Sequence, residues 1–159
     1  MYIVSDEWLL HDLAGEMGAE RQATAFRFVQ FVLEKCDCFA TLDGARFMQK
    51  VWNFSKESHL MPAPTRQIAK VFFARVVMNS EKFVRLTREQ IGQISQEIRD
   101  AAGDDTYLLE VHLSLQGSVI VTTDTRLRPK LPPDAAVEIH FAEDFVREYD
   151  PVRGWRDRP

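Results

Sequence analysis

Cysteine is nearly absent: the 159 residues hold two, Cys36 and Cys38, one residue apart. So close a pair does not frame a structural disulfide, and there is no second pair to complete a zinc site. A reducing, cytoplasmic setting is the expectation. Long apolar runs are missing as well, none approaching the roughly 20 residues that cross a bilayer. Met1-Tyr-Ile-Val-Ser-Asp6 reaches an acid with no basic leader, which argues against a signal peptide. No membrane partner is expected. Positive charge is in deficit, with 20 Lys and Arg against 24 Asp and Glu and a net charge of −4. That balance argues against a protein that coats nucleic acid non-specifically. It does not exclude an enzyme acting on nucleic acid, because an acidic metal site lowers the net charge by itself. His11, His59, His112 and His140 are scattered without ligand spacing, and no repeat or low-complexity segment interrupts the chain.

What is present is an alternation of short β-branched runs with amphipathic stretches. Tyr2-Ile-Val4, Cys38–Leu42, Lys82–Leu86, Val119–Val121 and Ala136–Phe141 read as strands, the third as an edge strand or an extended connector. Trp8, Leu9, Leu10 and Leu13 fall at helical spacing, as do Phe26, Val29, Val32 and Leu33 in the segment Ala19–Lys35, where Phe28 and Phe31 widen the apolar face. Phe47, Val51 and Phe54 mark a further helix. After Pro62 and Pro64, Thr65 is placed to cap a helix running to Met78 through Ile68, Phe72 and Val76. Thr87-Arg-Glu-Gln90 matches a capping box, with the helix continuing through Ile91, Ile94 and Ile98 to a stop at Gly103. A short helix from Asp105 and a turn at Gly117 follow, then a loop over Arg128–Pro133 and a last helix from Ala142 to Tyr149. Residues 1–150 thus read as one domain and 151–159, rich in Arg and Pro, as a loose tail carrying Trp155. Strands alternating with helices predict an α/β fold, a three-layer α/β/α sandwich around a mostly parallel sheet.

Acids at the carboxyl ends of parallel strands are where open α/β sheets place ligands. Asp6 follows the first strand and Asp124 the Val119–Val121 strand, while Asp105 opens the helix packed between them. For Asp6 alone, capping of the next helix is an equal explanation.

The chain from strand-Ser-Asp6, through Asp104-Asp105-Thr-Tyr-Leu-Leu-Glu110-Val and Gly117-Ser-Val-Ile-Val-Thr-Thr-Asp124, to Val137-Glu-Ile-His-Phe-Ala-Glu-Asp-Phe145 resembles the PIN domain. Its closest flavour is the toxin component of bacterial toxin–antitoxin systems. The resemblance covers nearly the whole chain and is sharpest from Gly103 to Phe145. It implies a divalent-metal-dependent endoribonuclease with RNA as substrate, Mg²⁺ or Mn²⁺ as cofactor, an antitoxin protein as partner and a homodimer as assembly. Asp6, Asp105 and Asp124 match the family's metal-binding, catalytic acids, with Asp104 adjacent to the match.

Two positions depart from the family pattern. The helix after the second strand, Asp43-Gly-Ala-Arg46-Phe-Met-Gln-Lys50, lacks the usual Glu. Asp43 stands at its start, either as a substitute ligand or as a plain cap. Arg126 occupies the place where a further Asp often lies. Loss of these acids makes a degenerate, non-catalytic domain that binds RNA or a protein partner the alternative. A phosphatase-type domain is disfavoured, because Ser5-Asp6-Glu7-Trp8 has no second Asp two positions after the first.

Phosphodiester hydrolysis requires a nucleophilic water and shielding of the phosphate charge, which hard dications supply in pairs about 3.5–4 Å apart. Such ions take oxygen ligands and keep several waters, so a few convergent carboxylates suffice. Arg126, Arg128 and Lys130 follow Asp124 and are candidates for holding substrate. Arg46 and Lys50 are weaker ones, and Thr122 and Thr123 are candidates to orient a carboxylate.

Overall fold

The computed structural model describes residues 1–149; the Arg/Pro tail with Trp155 lies outside the described residues. β1 (Tyr2–Ser5) leads into α1 (Trp8–Leu13), the long α2 (Ala19–Glu34) and β2 (Cys38–Leu42). Next come α3 (Arg46–Glu57), a 3-10 turn at Ser58–Leu60, α4 (Ala63–Phe72) and a π turn at Phe73–Val77, ending at β3 (Phe83–Leu86). A 3-10 turn at Arg88–Gln90, α5 (Gln96–Ala102), a 3-10 turn at Gly103–Asp105 and α6 (Thr106–Ser114) lead to β4 (Ser118–Thr122). The one-turn α7 (Leu127–Lys130), β5 (Ile139–Phe141) and α8 (Ala142–Glu148) complete the described chain.

All five strands form one parallel sheet in the order β3-β2-β1-β4-β5. Every residue of β2 and β4 is buried, as strands covered on both faces require. The chain steps outward from β1 to β2 to β3, then crosses back to β4 and β5. With right-handed crossovers, that reversal puts α2, α3 and α4 on one face and α5 and α6 on the other. Accordingly α6 lies across β1, β2 and β4, and α8 returns to pack on α2 and β4. The result is the expected α/β/α sandwich.

The first face is held by aromatic side chains. Phe28 of α2 meets Phe39 of β2 at 6.0 Å between ring centres, Phe145 at 5.9 Å, Tyr149 at 5.1 Å and Trp8 at 6.4 Å. Phe39 also meets Phe72 of α4 at 6.3 Å. The opposite face is filled by α6, whose Leu108, Leu109 and Val111 are fully buried. A helix apolar on nearly every side belongs inside the molecule.

Several elements differ from the periodicity reading. In α2 the buried residues are Ala25, Phe28, Val29 and Val32, so Val29, Val32 and the flanking Phe28 of the expected face point inward, while Phe26, Phe31 and Leu33 are only partly buried. Thr65 is not a cap: Pro64 occupies the first turn of α4, where its fixed φ suits a helix start. Thr65 is buried inside that helix, accepting from Gln22 Nε2 at 3.0 Å. The Thr87–Gln90 capping box does form, but it closes a single 3-10 turn. The helix starts afresh at Gln96, capped by Ser95, whose Oγ accepts from the Ile98 amide. The stretch Arg128–Pro133 is not all loop, since Leu127–Lys130 makes a helical turn. Trp52 of α3, an aromatic residue that composition alone would place in the core, is 38% exposed and edge-on to Phe73. Gly103 ends α5 at φ 56° and Gly117 makes the α6–β4 turn at φ 75°, both in the left-handed region that favours glycine.

No helix among the described residues is long and apolar enough to cross a membrane.

Candidate functional site

Strand order reverses between β1 and β4, and the carboxyl ends of these neighbouring strands carry Asp6 and Asp124. This is the topological switch point, where a parallel sheet leaves a crevice for ligand. Register pairs Ser5 with Val121, so the residues that follow leave the sheet at the same level.

Asp6 is 8% exposed and holds two local bonds. Its Oδ1 accepts the Trp8 amide at 2.9 Å, which caps the start of α1, and its Oδ2 accepts the Thr122 hydroxyl. Capping and site placement are therefore one arrangement. Burial pushes the Asp6 carboxyl up to about 6, with Glu7 and Asp105 adding repulsion and the two hydrogen bonds opposing it. Asp105 sits where the Gly103–Asp105 turn enters α6. Its carboxyl is raised, first by desolvation and then by the charges of Asp124 and Glu7. Asp124 behaves oppositely. The Arg126 amide reaches its Oδ1 at 2.9 Å and the Arg126 Nε reaches the same oxygen at 3.0 Å, and these bonds lower its pKa.

Comparison with protein families, with curated proteins and with solved structures finds no match.

Asp6, Asp105 and Asp124 share one neighbourhood, and three residues join them: Arg46, a weaker candidate from the sequence, and Glu7 and Tyr107, which the sequence alone did not single out. Glu7 acts electrostatically on both Asp6 and Asp105. Arg46 of α3 spans the rim, its Nε 3.7 Å from Glu7 and its Nη1 3.4 Å from Asp104. Tyr107 is buried with its hydroxyl lacking a hydrogen-bond partner, and burial beside Glu7, Asp6 and Asp105 raises its pKa. Two signals point at Glu7 and Tyr107: a second acid directly after Asp6, and a phenol two residues beyond Asp105 on a largely apolar helix. A cleft beside Asp105 and Asp124 is edged by Arg46, Asp104, Arg126 and Lys130.

Other expected members lie apart. Asp43 is exposed and does not line this cleft. Arg128 and Thr123 are exposed, and the hydroxyl on the acids is that of Thr122. Arg126, expected to be free for substrate, is tied to Asp124.

The donors fit a hard dication in kind, being carboxylate oxygens with spare lone pairs around a repulsive cluster. They do not close around one: among the described residues, no three Asp, Glu, His or Cys side chains converge closely enough to hold an ion. The chain's own guanidiniums, Arg126 on Asp124 and Arg46 on Glu7 and Asp104, compete for these carboxylates.

Proposed function

We propose that this protein is a PIN-like, divalent-metal-dependent endoribonuclease, the toxin half of a toxin–antitoxin pair. RNA is its substrate, an antitoxin protein its partner and a homodimer its assembly. The observation that carries the proposal is the placement of Asp6 and Asp124 at the ends of the two strands flanking the switch point. Asp105 lies beside them, above a cleft with a basic rim.

Mg²⁺ or Mn²⁺, when bound, supplies charge neutralisation at the phosphate and an acidified water. Asp6, Asp105 and Asp124 are the residues that would hold it. Thr122 fixes the rotamer of Asp6 through its Oδ2 and also accepts the Asp124 amide at 3.0 Å, so one hydroxyl sets two acids. Arg46, Arg126 and Lys130 supply the positive edge against which a phosphate group would lie.

The alternative is a non-catalytic domain of the same fold that binds RNA or a protein partner. The hold of Arg126 on Asp124, and the failure of three acids to converge, support it. One experiment separates the two. Single-stranded and structured RNA are incubated with the protein, with and without Mg²⁺ or Mn²⁺, beside Asp105→Asn and Asp124→Asn. Cleavage that needs metal and both acids is expected of the nuclease. Binding without cleavage, indifferent to both substitutions, would leave the alternative.

A further inference from the structure

A second cleft opens on the far side of Arg46, between α3 and α6, and its chemistry is basic. Glu110 of α6 is buried, with 3% of its side chain exposed, and accepts two guanidiniums. Arg88 Nη1 reaches its Oε2 at 2.7 Å and Arg99 Nη1 reaches its Oε1 at 3.0 Å. The two arginines come from separate elements, the Arg88–Gln90 turn and α5. The Thr87–Gln90 box stiffens that turn, since the Thr87 amide donates to Gln90 Oε1 at 2.8 Å.

One guanidinium is enough to neutralise a buried carboxylate. Here there are two, so a unit of positive charge is left over at a fixed place. Each arginine spends one N–H on Glu110 and has five in all, and their side chains remain 68% and 40% exposed. Their unspent donors therefore face water with rotamers already held. That is a preorganised receptor for a tetrahedral anion, which planar forked guanidiniums suit. Tyr107, with its unpartnered buried hydroxyl, lines the same cleft. Arg46 and Asp104 line both this cleft and the acidic one, so the two adjoin across these side chains.

We infer that Arg88 and Arg99, set by Glu110, form a phosphodiester clamp that holds the backbone of a single-stranded RNA one step away from the acids. The inference rests on RNA as the substrate class proposed above. Arg88 and Arg99 contact the ligand, and Glu110 is a positioning residue.

The test is equilibrium binding of a short single-stranded RNA with 2′-O-methyl riboses in EDTA, so that cleavage plays no part. Arg88→Ala and Arg99→Ala are each expected to weaken binding roughly three- to tenfold and to lower the salt slope by about 1. Arg75→Ala, the same charge loss at the exposed π turn, is expected to leave both unchanged. Equal weakening by Arg75→Ala, or unmoved affinity in the other two variants, overturns the clamp. Should either variant fail to fold, the wild-type protein decides. Its Arg88 and Arg99 Nε–H resonances must shift on titration with the RNA, and unmoved resonances overturn the clamp. Failure is separable from that of the nuclease reading. Binding with this pattern but no metal-dependent cleavage leaves the clamp standing and removes the nuclease. Cleavage dependent on Asp105 and Asp124 with unmoved affinity in the arginine variants does the reverse.

Discussion

Thr122, at the end of β4, donates its hydroxyl to Oδ2 of Asp6 at the end of β1, across 116 residues of sequence. The same Oγ1 accepts the Asp124 amide at 3.0 Å. A single side chain thus ties together the two strand ends at which the sheet order reverses. Thr122→Val keeps the shape and removes both bonds, leaving a buried carboxylate oxygen and an amide without this partner. A loss of about 1–3 kcal/mol in urea unfolding is expected, with Thr122→Ser close to wild type. Equal stability of the Val and Ser variants would sink this account.

The raised pKa of Asp6 makes stability depend on pH, and the sign follows from proton counting. Between the ordinary carboxylate value and about 6, the native state binds the proton that the unfolded chain releases. Stability therefore falls as pH rises from 4 through 6, and the penalty is fully present at pH 7. Asp6→Asn removes it while keeping an oxygen for the Trp8 amide. At pH 7 the variant is expected to gain roughly 3 kcal/mol, on the scale of about 1.4 kcal/mol per unit. Its stability should also be flatter than wild type between pH 4 and 6. Parallel pH profiles for the two proteins would show that Asp6 does not titrate as described.

The aromatic cluster predicts where the fold is most vulnerable. Phe28 touches Trp8, Phe39, Phe145 and Tyr149, joining α1, α2, β2 and the α8 segment. Phe28→Ala is expected to cost about 3–5 kcal/mol, against much less for Phe26→Ala on the same helix, where the side chain is only partly buried. Chemical denaturation of the two variants checks the ranking, and equal losses would contradict the placement of the α2 face.

The layered α/β plan was legible because β2 and β4 are short, mostly apolar runs and the intervening segments keep helical spacing. Strand ends were legible too, and with them Asp6 and Asp124. Local signals competed less well with tertiary ones. The Thr87–Gln90 box was correctly placed but stops after one turn, because the chain there must bridge from β3 to α5. The Phe26–Leu33 stripe has as much apolar character as the Ala25–Val32 face, and only packing against Phe39 chooses between them. At the site, Arg46 stood out only as a weak candidate and Tyr107 not at all, for a different reason. Their roles depend on which acids the fold brings beside α3 and α6, a relation that spacing within either helix cannot carry. The tie of Arg126 to Asp124 is local, yet a neighbouring Arg fits substrate binding and carboxylate pairing equally well in sequence.

That tie carries the last prediction. Arg126 donates twice to Oδ1 of Asp124, through its amide and its Nε, and holds the carboxyl below its usual range. A dication drawn to Asp6, Asp105 and Asp124 must share that oxygen with the guanidinium. Arg126→Ala keeps the amide and removes the competitor, so Mn²⁺ should bind more tightly. A given millimolar Mn²⁺ should then raise the melting temperature further than in wild type, as ligand binding to the native state requires. RNA affinity in EDTA should move the other way, because one cation of the basic rim is gone. Weaker Mn²⁺ binding in the variant would mean that Arg126 orients Asp124 for the ion instead of competing with it. Stabilisation by Mn²⁺ in neither protein would remove the metal site itself.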